Sequence, residues 1–428
     1  MQAPRPLPLR FLLVFSFGWV LSGGAEASGF GIPEGSVAGL ALANAMVANP
    51  EELGAMEYNP AAMGFLAHSA VSLGAKDFAP DLKVTTASGK HDSRAEDNVF
   101  IPDLHGLFKI GDRWNLGLGV SAPFGLETSW PVGTFPALSQ SIPVAPGVSL
   151  PPGLFHPTQS KLVLAQVAPS IAYKVSDNLS VSAGVDYFNA PRVALNTGFV
   201  KIEGDGDAWG WNLGVMYRTG PLSLGASYHA ATTLRVDGNY IAHPALAPLG
   251  IVSQAAKADL DLPSRLQLGV RYAFSEHLAA EFDWTRTGWS DFDALAVTSK
   301  VNGATLARNV NHWDDANAYR LGLTWQVTPA AQLRLGYAYD ETGQGNDHLT
   351  ARIPDADRQL FSIGGAYAFG QGWELEVGYM YVLLADRNFR GDRPFSLVDK
   401  DPNGTTAYDG DYEASVNIFG LGITKHFL

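Results

Sequence analysis

The chain has no cysteine among its 428 residues, which removes disulfide frameworks, thiolate metal sites and cysteine nucleophiles together. Charge is sparse at 17% of residues and unbalanced: 29 Lys and Arg against 42 Asp and Glu leave a net −13 at pH 7. The basic residues are scattered, so no positive patch exists to hold phosphates, and no nucleic-acid partner is expected. After the first segment, no apolar run approaches the ~20 residues of a spanning helix. The ten histidines show no paired metal spacing, and neither a G-x-S-x-G elbow nor a G-x-x-x-x-G-K-[ST] loop occurs. Asp205-Gly206-Asp207 and Asp409-Gly410-Asp411 fall short of a calcium-loop spacing and read as solvated turns. No catalytic residue, metal or cofactor is expected.

What the chain does have is glycine, 46 residues against the ~7% of an average protein, and a surplus of aromatics with 10 Trp, 15 Tyr and 22 Phe. Residues 1–27 read as a secretory signal: Arg5 and Arg10 flank an apolar core from Phe11 to Leu21, and Ala25-Glu26-Ala27 offers a small-residue cleavage site. The mature chain is expected to start at Ser28.

From residue 69 to 428 the chain alternates with period two in short runs. Leu179, Val181, Ala183, Val185 and Tyr187 share one face while Ser180, Ser182, Gly184 and Asp186 share the other. Trp209 to Tyr217, Leu266 to Tyr272, Leu333 to Tyr339 and Trp373 to Tyr381 repeat the pattern. A soluble sandwich alternates too. Three features favour a membrane barrel: apolar faces ending in aromatics such as Tyr187, Tyr217, Tyr228, Tyr272 and Tyr339, opposite faces made of small or ionisable residues, and short turns interleaved with long loops. Arg271, Glu281, Asp283, Arg320, Arg334, Glu374 and Glu376 fall on the inner face, where paired charges are expected.

Pairing runs across six short turns predicts an all-β fold, a transmembrane antiparallel barrel of about 14 strands. Residues 28–68 do not alternate and precede the wall, so they are expected to lie below or inside it. A barrel wider than eight strands cannot fill its lumen with wall side chains. This segment is therefore expected to act as a hatch or plug.

Ser28-Gly29-Phe30-Gly31-Ile32-Pro33-Glu34-Gly35-Ser36 followed by Asn59-Pro60-Ala61 resembles the N-terminal hatch of the long-chain fatty acid transporter family (FadL/TodX type). Pro123-Phe124-Gly125-Leu126, Ala208-Trp209-Gly210-Trp211-Asn212, Ala318-Tyr319-Arg320 and Ile353-Pro354-Asp355-Ala356-Asp357-Arg358 extend the resemblance over nearly all of residues 28–428. The resemblance implies a bacterial outer-membrane barrel inserted by the barrel assembly machinery, in contact with outer-membrane lipid, that passes fatty acids or related hydrophobic compounds inward. Ligand would be captured at extracellular loops, move to an internal site near the N-terminus and leave sideways at a kinked third strand. Two departures stand out. The lysine that precedes Asp-Ala-Tyr-Arg in the family is replaced by the stretch Asp314-Asp315-Ala316-Asn317, and the chain ends Phe427-Leu428 where a terminal aromatic is usual.

By that resemblance Phe30 touches ligand and Arg320 clamps it, against the alternatives of plug packing and wall salt bridges. Asn59, Pro60 and Ala61 form a hatch turn that either gates or simply turns the chain. Pro123 and Gly125 break the wall for lateral exit, unless Pro123 only begins a loop. Loop residues 131–157, with Phe135, Leu138 and Phe155 among many apolar side chains, and the loop at 241–262 offer a hydrophobic capture surface. The competing functions are a general diffusion porin, a hydrocarbon- or aromatic-specific channel of the same fold, and an outer-membrane phospholipase.

Overall fold

The computed structural model describes residues 29–95, 98–396 and 400–427, with backbone only for 142–145 and 148. The signal at 1–27, the start at Ser28 and the terminal Leu428 lie outside the described residues. The wall runs β1 Ser69–Thr86, β2 Val99–Ile110, β3 Trp114–Ser121 resuming at Gly125–Thr128, β4 Pro157–Lys174, β5 Leu179–Thr197 and β6 Val200–Thr219. It continues with β7 Leu222–His229 and Thr232–Ala242, β8 Gln254–Leu262 and Arg265–Ala273, β9 Leu278–Thr287 and Ala294–Ser299, and β10 Thr305–Val310 and Ala316–Gln326. β11 Ala331–Asp340, β12 Arg358–Gly370, β13 Trp373–Leu384 and β14 Gly410–Phe427 complete the set of fourteen. Each strand pairs antiparallel with the next, and β1 closes on β14 from Ser69 opposite Phe427 to Thr85 opposite Asp411. Closure gives every strand two partners, which is what backbone groups require in a medium without water.

Alternation sets the two faces. On β6, Trp209, Trp211, Leu213 and Val215 point outward and are exposed, an apolar band suited to hydrocarbon. Outward rings meet across neighbouring strands, as in Trp114 with Tyr173 and Tyr187 with Trp209. The inner face buries Asp186, Arg271, Glu281, Asp283, Arg320, Arg334 and Glu376. Short turns at 111–113, 175–178, 220–221, 274–277, 327–330 and 371–372 occupy one end, and long loops the other. The apolar loop expected at 241–262 is shorter than its sequence suggests, because Gln254–Leu262 pairs with β7 and extends the wall.

Residues 29–66 lie inside the barrel. A short helix, Val37–Ala41, starts where the Ser36 Oγ accepts the Gly39 N–H and ends at Ala43 and Asn44, both at positive φ. Beyond that turn, three consecutive backbone N–H groups point at the wall: those of Met46 and Val47 donate to Asp283 (2.7 and 2.9 Å) and that of Ala48 to Glu281 (2.6 Å). Two arginines complete the anchorage. Arg271 pairs with Glu51 (2.8 Å), and Arg334 joins Glu52 (2.7 Å) to Glu376 (2.6 Å). Glycines admit the segment to the wall: a Cβ at Gly420 would lie 2.7 Å from Leu40, and one at Gly336 only 2.3 Å from the Leu42 carbonyl carbon.

Candidate ligand path

Four wall strands are interrupted, and three of the breaks place aromatic rings around one side chain. β3 is interrupted at 122–124, β8 at 263–264, β9 at 288–293 and β10 at 311–315. The last three breaks are adjacent in register, since Arg265 pairs with Thr287 and Thr287 with Ala316. Freed from alternation, Trp289, Phe292 and Trp313 turn inward, and with Phe124 they enclose Phe30 at centroid distances of 4.7, 5.5, 6.4 and 5.8 Å. Phe30 is only 4% exposed. Gly29 is required here, because its φ is +59° and a Cβ would sit 2.4 Å from Trp313.

Beneath this cage lies a chamber of about 60 Å³, apolar toward Ile32, Phe124, Phe188 and Trp289 and polar toward Gln166, His229, Arg265, Gln267, Thr285 and Arg320. Arg320 contacts Asp340 at 3.6 Å. Among the described residues, Arg320 Nη1, Arg265 Nε and the indole N–H groups of Trp289 and Trp313 are buried without a hydrogen-bond acceptor. Buried donors without partners are costly, so the chamber is chemically prepared for a ligand that accepts.

A cavity of about 830 Å³ adjoins the other side of Phe30 and Ile32. Its inner wall is aliphatic, including Leu360, Val382, Leu384, Val416 and Ile418. Glu34 lines it as well; burial pushes its carboxyl above the usual carboxylate range, although Asn44 Nδ2 donates to it at 3.0 Å. The cavity touches both Ile101, which faces the lumen, and Phe100, which is 73% exposed on the outer face. At this edge the ladder is incomplete: β2 pairs with β3 only over Leu104–Ile110, while Gly125–Thr128 pairs with β4 alone. Pro123 does not begin a loop, since the strand resumes two residues later. The luminal segment satisfies the break: Ile32 N–H donates to the Pro123 carbonyl (2.8 Å) and Gly125 N–H to that of Phe30 (3.0 Å).

Asn59 caps the Pro60–Gly64 turn, its Oδ1 accepting the Ala61 N–H (3.1 Å), while its Nδ2 donates to Val47 and to Val215 of β6 (2.9 and 3.1 Å). Asn59, Pro60 and Ala61 thus cross-link the segment to the wall and lie apart from both cavities. Phe135 and Leu138 do not form an open capture surface. They are 0% and 1% exposed, packed with Trp130, Leu349, Phe389 and Tyr408 in a cap over the long-loop end, and line neither cavity. Phe155 is half-buried against Phe395 at 5.5 Å. The apolar content of the loop is used for packing, which is the physical reason a surface reading fails here. Phe135 N–H donates to His156 Nε2 (3.4 Å), and burial pushes that imidazole down to about 4, keeping it neutral and able to accept. Serine at Phe135 and Leu138 together is expected to remove several kcal/mol from the cap, about 3–5 for the ring alone. Limited proteolysis between 131 and 157 should accelerate while the barrel's own melting stays put; unchanged cleavage would exclude a packing role.

Phe124, Phe188, Arg265, Trp289, Phe292 and Trp313 were not among the expected site residues. Arg265 was accessible by parity, being one residue before the outward Leu266, whereas the tryptophans sit in strand breaks that alternation does not describe.

The family profile described as outer membrane protein transport protein (OMPP1/FadL/TodX) matches residues 18–427. The chain is 25% identical over 429 residues to the 47 kDa outer membrane protein of Pasteurella multocida, covering 95% of this chain and 96% of that one. It is 24% identical over 404 residues to the long-chain fatty acid transport protein of Escherichia coli K12, covering 85% and 89%. Among solved structures, a Pseudomonas aeruginosa FadL homologue superposes with a TM-score of 0.80 at 20% identity, covering 94% of this chain and all of that one. The Ralstonia pickettii toluene transporter TbuX gives 0.64 at 18% identity over 94% and 99%. Both structural likenesses concern the fold.

Proposed function

The chain belongs to the OMPP1/FadL/TodX family of outer-membrane transport proteins, which are channels and not enzymes, and from that premise we propose that it takes up long-chain fatty acids or compounds of the same build. The observation that carries this reading is the pairing of an 830 Å³ aliphatic cavity with a small chamber of unpartnered donors, Arg265 and Arg320 above all. A cavity of that size falls in the range of ligand sites. A carboxylate accepts from guanidinium groups by charge-assisted bonds, the strong kind, and Arg265 supplies a cation in a chain that lacks the family's lysine. The long-loop end faces outside and the short turns face the periplasm. Residues 29–66 act as the hatch, Phe30 meets the ligand in its aromatic cage, and the ligand leaves sideways between β2 and the upper half of β3.

A second reading, a channel for aromatic hydrocarbons, is favoured by the Phe30, Trp289, Phe292 and Trp313 cage alone. The two diverge at Arg265. Replacing Arg265→Met should weaken palmitate binding about 10- to 100-fold, the worth of a hydrogen bond to a charged group, and leave toluene binding unchanged. Equal palmitate affinity in a variant with the parent's melting temperature would sink the carboxylate reading.

A further inference from the structure

The sequence places small residues along the inner face of β3: Asn115, Gly117, Gly119 and Ser121. Each of the last three is pressed by the luminal segment. A Cβ at Gly117 would lie 2.4 Å from the Met63 sulfur, one at Gly119 would lie 3.0 Å from Glu57, and Ser121 Oγ donates to Glu57 at 2.6 Å. Above the break come the two backbone bonds to Ile32 and Phe30 already described. β3 therefore touches the luminal segment from Gly117 to Gly125.

Glu57, whose charge also faces Arg265 of the ligand chamber, ends a buried row of charged and titratable groups on β1 and β2. Lys76 of β1 pairs with Asp103 of β2 (2.6 Å), Asp103 lies 3.5 Å from His105, and His105 Nε2 lies 3.5 Å from Glu57. Lys76, Asp103 and His105 are all buried on strands held by ladders on both sides. Burial works against ionisation of Glu57, but its contacts with His105 and Ser121 hold the carboxyl below the usual carboxylate range. Ser121 directly follows Val120, the last residue of β3 paired with β2, and its Cα still lies opposite that of Gln166 on β4.

We infer that Glu57 is a coupling residue, a latch by which the luminal segment holds β3 against β2 just below the gap, so that displacement of the segment and widening of the gap are one event. The inference rests on lateral release for its purpose but not for its geometry. With Glu57 seated, its carboxylate accepts from the Ser121 hydroxyl on β3 and stands 3.5 Å from His105 Nε2 on β2. With Glu57 withdrawn, Ser121 loses its acceptor and Gly119 loses the side chain that fills its face, and the two bonds from the luminal segment to the break, at Ile32 and Phe30, belong to the same moving segment.

The absence of native cysteine allows spin labels to be placed only where wanted. Labels at Phe100→Cys and Val163→Cys, both exposed on the outer face and both lining the cavity, span the gap. In this background Glu57→Gln and Ser121→Ala should each raise the population of the longer distance about tenfold, the loss of one hydrogen bond to a charged group. Ser121→Thr, which keeps the hydroxyl, should restore the parent distribution, and the double variant Glu57→Gln/Ser121→Ala should exceed neither single one. Unchanged distances in Glu57→Gln, with the parent's melting temperature, overturn the latch. A widened gap with palmitate uptake identical to the parent supports the latch and overturns lateral release, which separates the two.

Discussion

Deleting residues 28–65 behind the signal leaves a closed barrel whose single-channel conductance is higher by on the order of tenfold or more, as expected of a fourteen-stranded wall whose lumen its own side chains cannot fill. Closure does not depend on the deleted segment, because every wall strand keeps both neighbours, including β1 on β14. The charges it releases remain manageable. Arg334 keeps Glu376 (2.6 Å) and Arg271 keeps Glu281 (3.7 Å), while Asp283 exchanges the N–H groups of Met46 and Val47 for water admitted to the lumen. Leu40, Met46 and Met63, fully buried in the intact protein, pack on apolar wall residues that include Met380 and Ile418, Met216, and Leu107, so the deletion exposes these side chains to lumen water but leaves the strand ladders unchanged. Planar-bilayer recordings of the deleted and intact proteins check this directly. Matching conductance would mean that the segment does not obstruct the lumen, and the hatch role would go with it.

The wall was legible in the sequence because a barrel imposes one repeating rule, inside then outside, on every strand. Tyr187, Tyr217, Tyr272 and the inward arginines obey it, and the inward charges could be assigned before any contact was known. The same rule concealed the ligand cage. Trp289, Phe292 and Trp313 occupy the places where β9 and β10 stop alternating, so parity gives them no face. The apolar loop at 131–157 misled for a different reason: composition records how much apolar surface a segment has, not whether another loop covers it, and Trp130, Leu349, Phe389 and Tyr408 cover Phe135. Glu57 was invisible as a functional residue, since its partners Ser121 and His105 are 64 and 48 positions away in the sequence and meet it only once the segment has entered the barrel.

Valine at both Pro123 and Gly125 is expected to stop uptake while leaving ligand binding in the chamber within about twofold, because the gap persists through missing hydrogen-bond donors. Continuing the ladder from Leu104 opposite Val120 would set Pro102 opposite Ala122 and Ile101 opposite Pro123. Prolines thus stand on both edges of the opening, and neither offers an N–H. In hydrocarbon an unpaired backbone group costs several kcal/mol, yet here the Pro123 carbonyl and the Gly125 N–H are satisfied from within by Ile32 and Phe30. Valine at 123 supplies a donor with β propensity, and valine at 125 pushes on Ile32, whose Cδ1 would lie 2.8 Å from the new Cβ and is the free end of a flexible side chain. Both changes favour pairing with β2 over pairing with the luminal segment, and adding Pro102→Val removes the remaining obstacle. A route through this gap lets an aliphatic tail pass from the cavity to the membrane without crossing water, where each 100 Å² of apolar surface costs about 2.5 kcal/mol. Pro123 lines the chamber, but Arg265 and Arg320, which supply its charge, are untouched, so palmitate should still bind to purified protein while cells expressing the variant cease to accumulate it. Normal accumulation in a correctly folded Pro102→Val/Pro123→Val/Gly125→Val protein would rule out lateral release and return the exit to the periplasmic end of the lumen.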